Sequence, residues 1–428
     1  MNYASLEKLN CLLMENKNRI FLLIAFCLMM NTGNLYAQEV FTLSQILDRV
    51  EEHHPMLKMY NQKIAAYDAY AEGTSSWMAP MVGVGTFMTP YPNQEIMHEN
   101  EKGAWMFSVE QEIPNPSKQK ANKDYFNALR QVEEKAFFVQ RQTIRSEVKE
   151  LYYKSIANLN QQRVIKENLS TINAMLTWTK QQYAINNASL AQVYKTESQV
   201  ETVASMLAML QGDFNAMHTR LKLLMQISDS VKLDTIGVVK YIHDYTFKFQ
   251  EEVKTIRSIQ QLDQTIIAMQ TDQDRQRMQR RPDFKIRFDH MQPIGNMPKQ
   301  YSAMAMVSIP IAPWSSKMYK AEIKGMQFDI EAMKMEREAV SLETLSMVNG
   351  MVVSLQEMQK QLHRYQDKVL PALKRNADLT QSMYYENQSN LMMVLESWEA
   401  YTMMQEEYWK KWNEYVNMLI QYEKVLDL

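Results

Sequence analysis

The 428-residue sequence predicts a mixed α/β membrane protein in which short barrel-forming strands alternate with helices too long for a compact core. Three observations predict it. In Phe284-Lys285-Ile286-Arg287-Phe288-Asp289 apolar and charged residues alternate strictly, which gives an extended chain one apolar face and one charged face. A transmembrane β-strand with lipid on one side and water on the other reads this way. Residues 118–225 contain no proline and are dominated by Gln, Lys, Glu, Ala, Leu and Met, so they read as nearly continuous helix. Half of that run would already reach roughly 80 Å at about 1.5 Å per residue. The same order of elements then recurs about 200 residues later, with Pro80 answered by Pro282 and Leu190 by Leu391.

At the N-terminus Lys17 and Arg19 precede the apolar run 20–30, and Leu35-Tyr36-Ala37 offers a cleavage point before Gln38. Residues 1–37 are therefore expected to be a signal peptide, with an uncleaved anchor as the competing reading. Phe26 stands before Cys27 where a lipoprotein start needs a small residue.

The first repeat is expected over residues 38–227. A helix over 43–75, capped by Thr42 or Ser44, should break or bend at His54-Pro55, because the residue before proline is steered out of the α region. A β-hairpin follows within 81–112, its strands at 81–88 and 104–109 separated by Thr89-Pro90-Tyr91-Pro92-Asn93. A long helical hairpin spans 118–225. Its tip is expected at Asn186, Asn187, Ser189 and Leu190, where asparagines tolerate turn conformations and Ser189 can cap the returning helix.

The second repeat, 228–428, begins with a linker at 228–244 and a helix over 245–278. Arg281-Pro282-Asp283 opens a second β-hairpin, 282–309, with strands at 283–290 and 301–309. A second helical hairpin, 317–424, is expected to be interrupted at Val369-Leu370-Pro371 and to turn at Asn387, Gln388, Ser389, Asn390 and Leu391. Trp77, Trp105, Tyr301 and Trp314 stand at strand ends or their exits, where amphipathic rings favour a membrane interface. Phe284, Ile286 and Phe288 are expected to face lipid, and Lys285, Arg287 and Asp289 the barrel lumen. Four strands cannot enclose a solute path alone, so closure by several copies is expected.

Composition narrows the chemistry. Both cysteines, Cys11 and Cys27, fall in the leader, which leaves the mature chain with neither a disulfide nor a thiolate metal site. A net charge of −2 with interspersed signs argues against nucleic acid as a partner. No interior segment reaches the roughly 18 apolar residues of a spanning helix. The histidines are scattered without metal-ligand spacing, and Gly83 with Gly85 fits close strand packing better than a phosphate cradle. No catalytic residue, cofactor site or metal site is expected. The 35 methionines could offer thioethers to a soft cation, but methionine is also a good helix former that fills irregular gaps between helices.

Phe41-Thr42-Leu43-Ser44-Gln45-Ile46-Leu47 with His54-Pro55, Arg281-Pro282-Asp283, Val369-Leu370-Pro371, and the run from Tyr384 through Asn387 to Glu396 resemble, in order and spacing, the TolC-like outer-membrane efflux proteins of Gram-negative bacteria. The resemblance covers essentially the whole mature chain. It implies a homotrimer, with a 12-stranded transmembrane β-barrel in the outer membrane continued by a long periplasmic α-helical barrel. It further implies a passive exit duct for small molecules or metal ions, docking through a periplasmic adaptor (membrane fusion) protein to an inner-membrane transporter of the RND or ABC type. The helical tips would carry the adaptor contact. Glycine is usual in the family where this chain has Asn186 and Asn387. Of two acidic positions that narrow the periplasmic entrance in the family, one is Glu396 and the other is occupied by Met393, a departure that bears on a two-layer acidic constriction. The competing reading is a periplasmic or surface coiled-coil scaffold without channel activity.

Overall fold

A computed structural model describes residues 40–227, 232–234, 256–386 and 388–427. The expected leader with Cys11 and Cys27, most of the 228–244 linker, the start of the 245–278 helix and Asn387 lie outside the described residues.

β1 (Val40–Phe41) leads into α1 (Leu43–His53). Thr42 is the cap: its hydroxyl accepts from the Gln45 backbone while the Gln45 side chain reaches back to the Thr42 N–H, a reciprocal capping box. The expected break at His54-Pro55 is present, with His54 extended and its ring accepting from the Met56 N–H. α2 (Pro55–Gly73) then runs to the sheet.

The first hairpin is β2 (Met81–Phe87) and β3 (Ala104–Ile113), the latter four residues longer than expected. Gly103 turns the chain into β3 at φ +76°, with Thr89 backbone where any side chain would stand, so this position requires glycine. α3 (Pro116–Ala184) is a single helix of 69 residues, about 100 Å long at 1.5 Å per residue. α4 (Leu190–Met225) returns beside it, and β4 (Lys232–Leu233) pairs with β1 in parallel. Tyr152 donates its hydroxyl to the Asp234 carbonyl at 2.5 Å, and burial pushes that phenol up to about 12.

The second half runs α5 (Arg257–Arg277), β5 (Phe284–Pro293), β6 (Gln300–Val307) and α6 (Pro313–Arg364). The interruption expected at Val369-Leu370-Pro371 takes another form. The chain passes through one π turn, Tyr365–Val369, and continues directly as α7 (Leu370–Tyr385). A π turn widens the helix, which keeps the carbonyl four residues back clear of the proline ring. α8 (Leu391–Leu426) returns from the tip.

The four longer strands form one antiparallel sheet in the order β2-β3-β5-β6, so the two hairpins join through β3 and β5. One chain gives an open sheet whose edges, β2 and β6, have no strand partner among the described residues, and not a closed barrel. At its base Asn115 donates to the Pro282 carbonyl at 2.8 Å and Lys118 pairs with Asp283 at 2.6 Å, tying the exit of one hairpin to the start of the other. The largest core lies midway along the helices, where Ile46 and Val50 of α1 pack with Val148 of α3, Leu221 of α4, Leu355 of α6 and Tyr415 of α8. A second core near the tips joins Ile165 and Ile172 of α3 to Val203 of α4 and Val394 and Trp398 of α8.

Candidate functional site

Two surfaces collect the candidate residues: the sheet and the helical tips. In the sheet, residues directly opposite in antiparallel strands project to the same side. Phe284 stands opposite Ile113 and Val307, Ile286 opposite Gln111 and Ala305, and Phe288 opposite Val109 and Ala303. Val109 in turn faces Val82, and Phe107 faces Val84. One side of the sheet is thus almost wholly apolar, yet it is open. Phe284 is 42% exposed, Ile286 51%, Phe288 45% and Val82 75%.

The other side carries Lys285, Arg287 and Asp289. Lys285 pairs with Glu110 at 2.7 Å, and the Arg287 Nε donates to the Asp289 carboxylate at 2.8 Å. Glu112 stands opposite Lys285, and Ser108 opposite Asp289. Met81, Met106, Met291, Met304 and Met306 fall on this side by register, next to Gly83 and Gly85. Sequence reasoning missed Glu110 and Glu112 because it ended β3 at Val109. Continued alternation of acidic residues with Val109 and Ile113 was the signal that could have found them.

Trp77, Trp105, Tyr301 and Trp314, expected at the strand ends, are 60%, 49%, 73% and 86% exposed.

At the first tip Asn186 has φ +61° and donates its N–H to the Tyr183 carbonyl, while the Asn187 N–H bonds to Gln182. Asparagine tolerates this left-handed conformation where most residues do not. Ser189 and Gln192 form a second capping box, and Leu190 behind them is 43% exposed. At the second tip the Gln388 N–H bonds to the Met383 carbonyl, the Ser389 hydroxyl lies 3.4 Å from the Met393 sulfur, and Asn390 accepts from the Met393 N–H. Leu391 departs from expectation. It is 1% exposed inside the tip core, because it is the first apolar residue of the α8 seam that continues at Val394, Leu395 and Trp398. It holds the tip together and presents no docking surface. Trp178 of α3 meets Tyr385 of α7 edge-on, their ring centroids 5.3 Å apart, so the two tips lie side by side.

Met393 and Glu396 sit one turn apart on the open face of α8; Met393 is 52% exposed. Among the described residues Glu396 makes no ion pair or hydrogen bond. No group of three His, Cys, Asp or Glu among the described residues is placed to hold a metal ion, and no helix among them is long and apolar enough to cross a membrane.

The fold is shared with several solved structures. OprN, an outer-membrane channel, is 12% identical over 90% of this chain and 89% of its own, with a TM-score of 0.74. CusC, described for its folding and transmembrane channel formation, is 12% identical over 92% of this chain and 95% of its own, with a TM-score of 0.75. The outer-membrane channel MtrE of Neisseria gonorrhoeae, in its open state, is 10% identical over 90% and 88%, with a TM-score of 0.71. No family model and no curated protein sequence matches the chain.

Proposed function

Because the chain has the fold of the TolC-like outer-membrane channels, we propose that it is a passive exit duct in the outer membrane of a Gram-negative cell, with its helices reaching through the periplasm. The observation that carries this reading is the sheet, apolar and open on one side, charged on the other, with both edges unpaired among the described residues. Such a surface is costly in water, and a barrel in lipid removes the cost of both the face and the edges. β3 and β5 have 10 residues each, within the roughly 9–11 of a transmembrane strand.

In this reading three copies close a ring of twelve strands, β6 of each meeting β2 of the next in antiparallel pairing. Phe284, Ile286 and Phe288 meet lipid, and Lys285, Arg287 and Asp289 line the lumen. The helical tips, with Asn186, Asn187, Ser189, Leu190, Gln388, Ser389 and Asn390 at their turns, receive a periplasmic adaptor. Glu396 and Met393 form the periplasmic entrance. Cargo, small molecules or metal ions, arrives from an inner-membrane transporter of the RND or ABC class, which supplies the energy; the duct performs no chemistry. The scaffold alternative has no use for an uncovered apolar sheet.

Two measurements test the proposal together. Purified protein should conduct ions in planar bilayers and should require detergent to leave the envelope. Release by salt or high pH, without conductance, would favour the scaffold.

A further inference from the structure

A cleft of about 730 Å³ lies among α3, α4 and α8, between the tips and the central core. Its size is in the range of small-molecule sites. Ala157 and Asn158 of α3, both buried, are part of its floor, and Gln162 bonds to Asn158 just beneath at 2.7 Å. Its charge is lopsided. Glu406 and Glu407 of α8 and Asp213 of α4 share it with Lys154 and Lys410, but Lys154 is already paired with Glu150 on its own helix. Glu407 lies 3.8 Å from Lys411.

Two acceptors are left over. Glu406 is half-buried and makes no hydrogen bond or ion pair among the described residues. Asn413 Oδ1 is buried with no hydrogen-bond partner. Met206, Met209, Met217 and Met403 supply adaptable apolar walls. Among the described residues these carboxylates do not gather into a group of three that could hold a metal ion.

We propose that this cleft binds a protonated amine with a bulky apolar body, Glu406 supplying the counter-charge, Asn413 Oδ1 accepting one N–H, and the methionines contacting the body. An uncompensated buried acceptor and an unpaired carboxylate both carry a desolvation cost that such a cation relieves. Burial raises the Glu406 carboxyl above the usual carboxylate range. The charged form is the one that binds, so affinity is present above that raised value and is lost as pH falls through it. The other charged groups facing the cleft are Asp213 on α4, Lys154 on α3, and Glu407 and Lys410 on α8. The site lies within one chain and does not depend on the duct reading.

The test is calorimetric titration of the purified full-length protein in detergent solution, with detergent solution alone as blank. Adamantylammonium is the probe, and adamantanecarboxylate, the same cage with opposite charge, is the control. The ammonium should bind and the carboxylate should not. Glu406→Gln should weaken binding at least tenfold and flatten its pH dependence, with the oligomer mass unchanged. Met206→Ala, which removes one apolar wall and leaves the charges in place, should weaken binding several-fold. Absence of ammonium binding, equal binding of the two cages, or unchanged affinity in either variant would each overturn the site.

Discussion

Ile286 and Arg287 are neighbours in sequence and opposites in surroundings: one lies on the open apolar side of the sheet, the other is bonded to Asp289 on the charged side. Ile286→Arg should therefore impair membrane assembly far more than Arg287→Ala, since a basic residue facing lipid near the midplane costs about 2–4 kcal/mol. Cysteines placed at 286 and 287 should differ in reaction with a water-soluble thiol reagent, and equal labelling would sink the barrel assignment. Glu396 has no partner among the described residues, and in the proposed three-copy ring it would form a ring of three carboxylates. Glu396→Gln should lower cation preference in bilayer conductance without lowering the yield of assembled protein, and Met393→Asp should raise it. Unchanged selectivity in both would remove these residues from the entrance. Alternation with period two made the faces of β5 legible, because only one split of side chains is geometrically open to a strand. Leu391 was not legible. A residue at a turn reads as exposed, and only the packing of α8 against α3 reveals that the seam begins there.

The helices carry a feature that pattern reading reduced to a break. Val348, Leu355 and Leu362 are spaced by seven and are at most 1% exposed, while the next buried residue, Ala377, lies fifteen positions on, two sevens and one residue more. The π turn at Tyr365–Val369 takes up that extra residue and returns α7 to the seam. Pro371 drew attention as a helix breaker, but the phase slip in the apolar spacing was the informative signal. Deleting Asp367, an exposed residue of that turn, should restore an ordinary helix and bring the Pro371 ring against a backbone carbonyl, at a cost of about 3 kcal/mol. Adding Pro371→Ala to the deletion should recover most of the loss. Thermal unfolding followed by circular dichroism would read both, and an unaltered midpoint in the single deletion would refute the account. The caps, by contrast, were legible in sequence, since Thr42 with Gln45 and Ser189 with Gln192 have the spacing that reciprocal capping needs.

At the scale of the whole molecule, the alternation of hairpins with long helices was legible because proline and glycine punctuate it, whereas the joining of the two hairpins through β3 and β5 was not, since pairing between partners as far apart in sequence as Ala104 and Pro293 leaves no local mark. Four strands per chain predict that the mass in detergent corresponds to three copies; a single copy that still conducts would contradict the architecture. The two free edges have a further consequence for how such a ring comes into being. Joining two chains satisfies one β6 edge and one β2 edge but leaves another of each exposed, so the half-built species keeps the same liability as the single chain. Only the last joining event removes it. Assembly should accordingly be steep in chain concentration, populated by single chains and finished rings with few pairs between them, and the single chains should be the species that aggregates or waits on an escort.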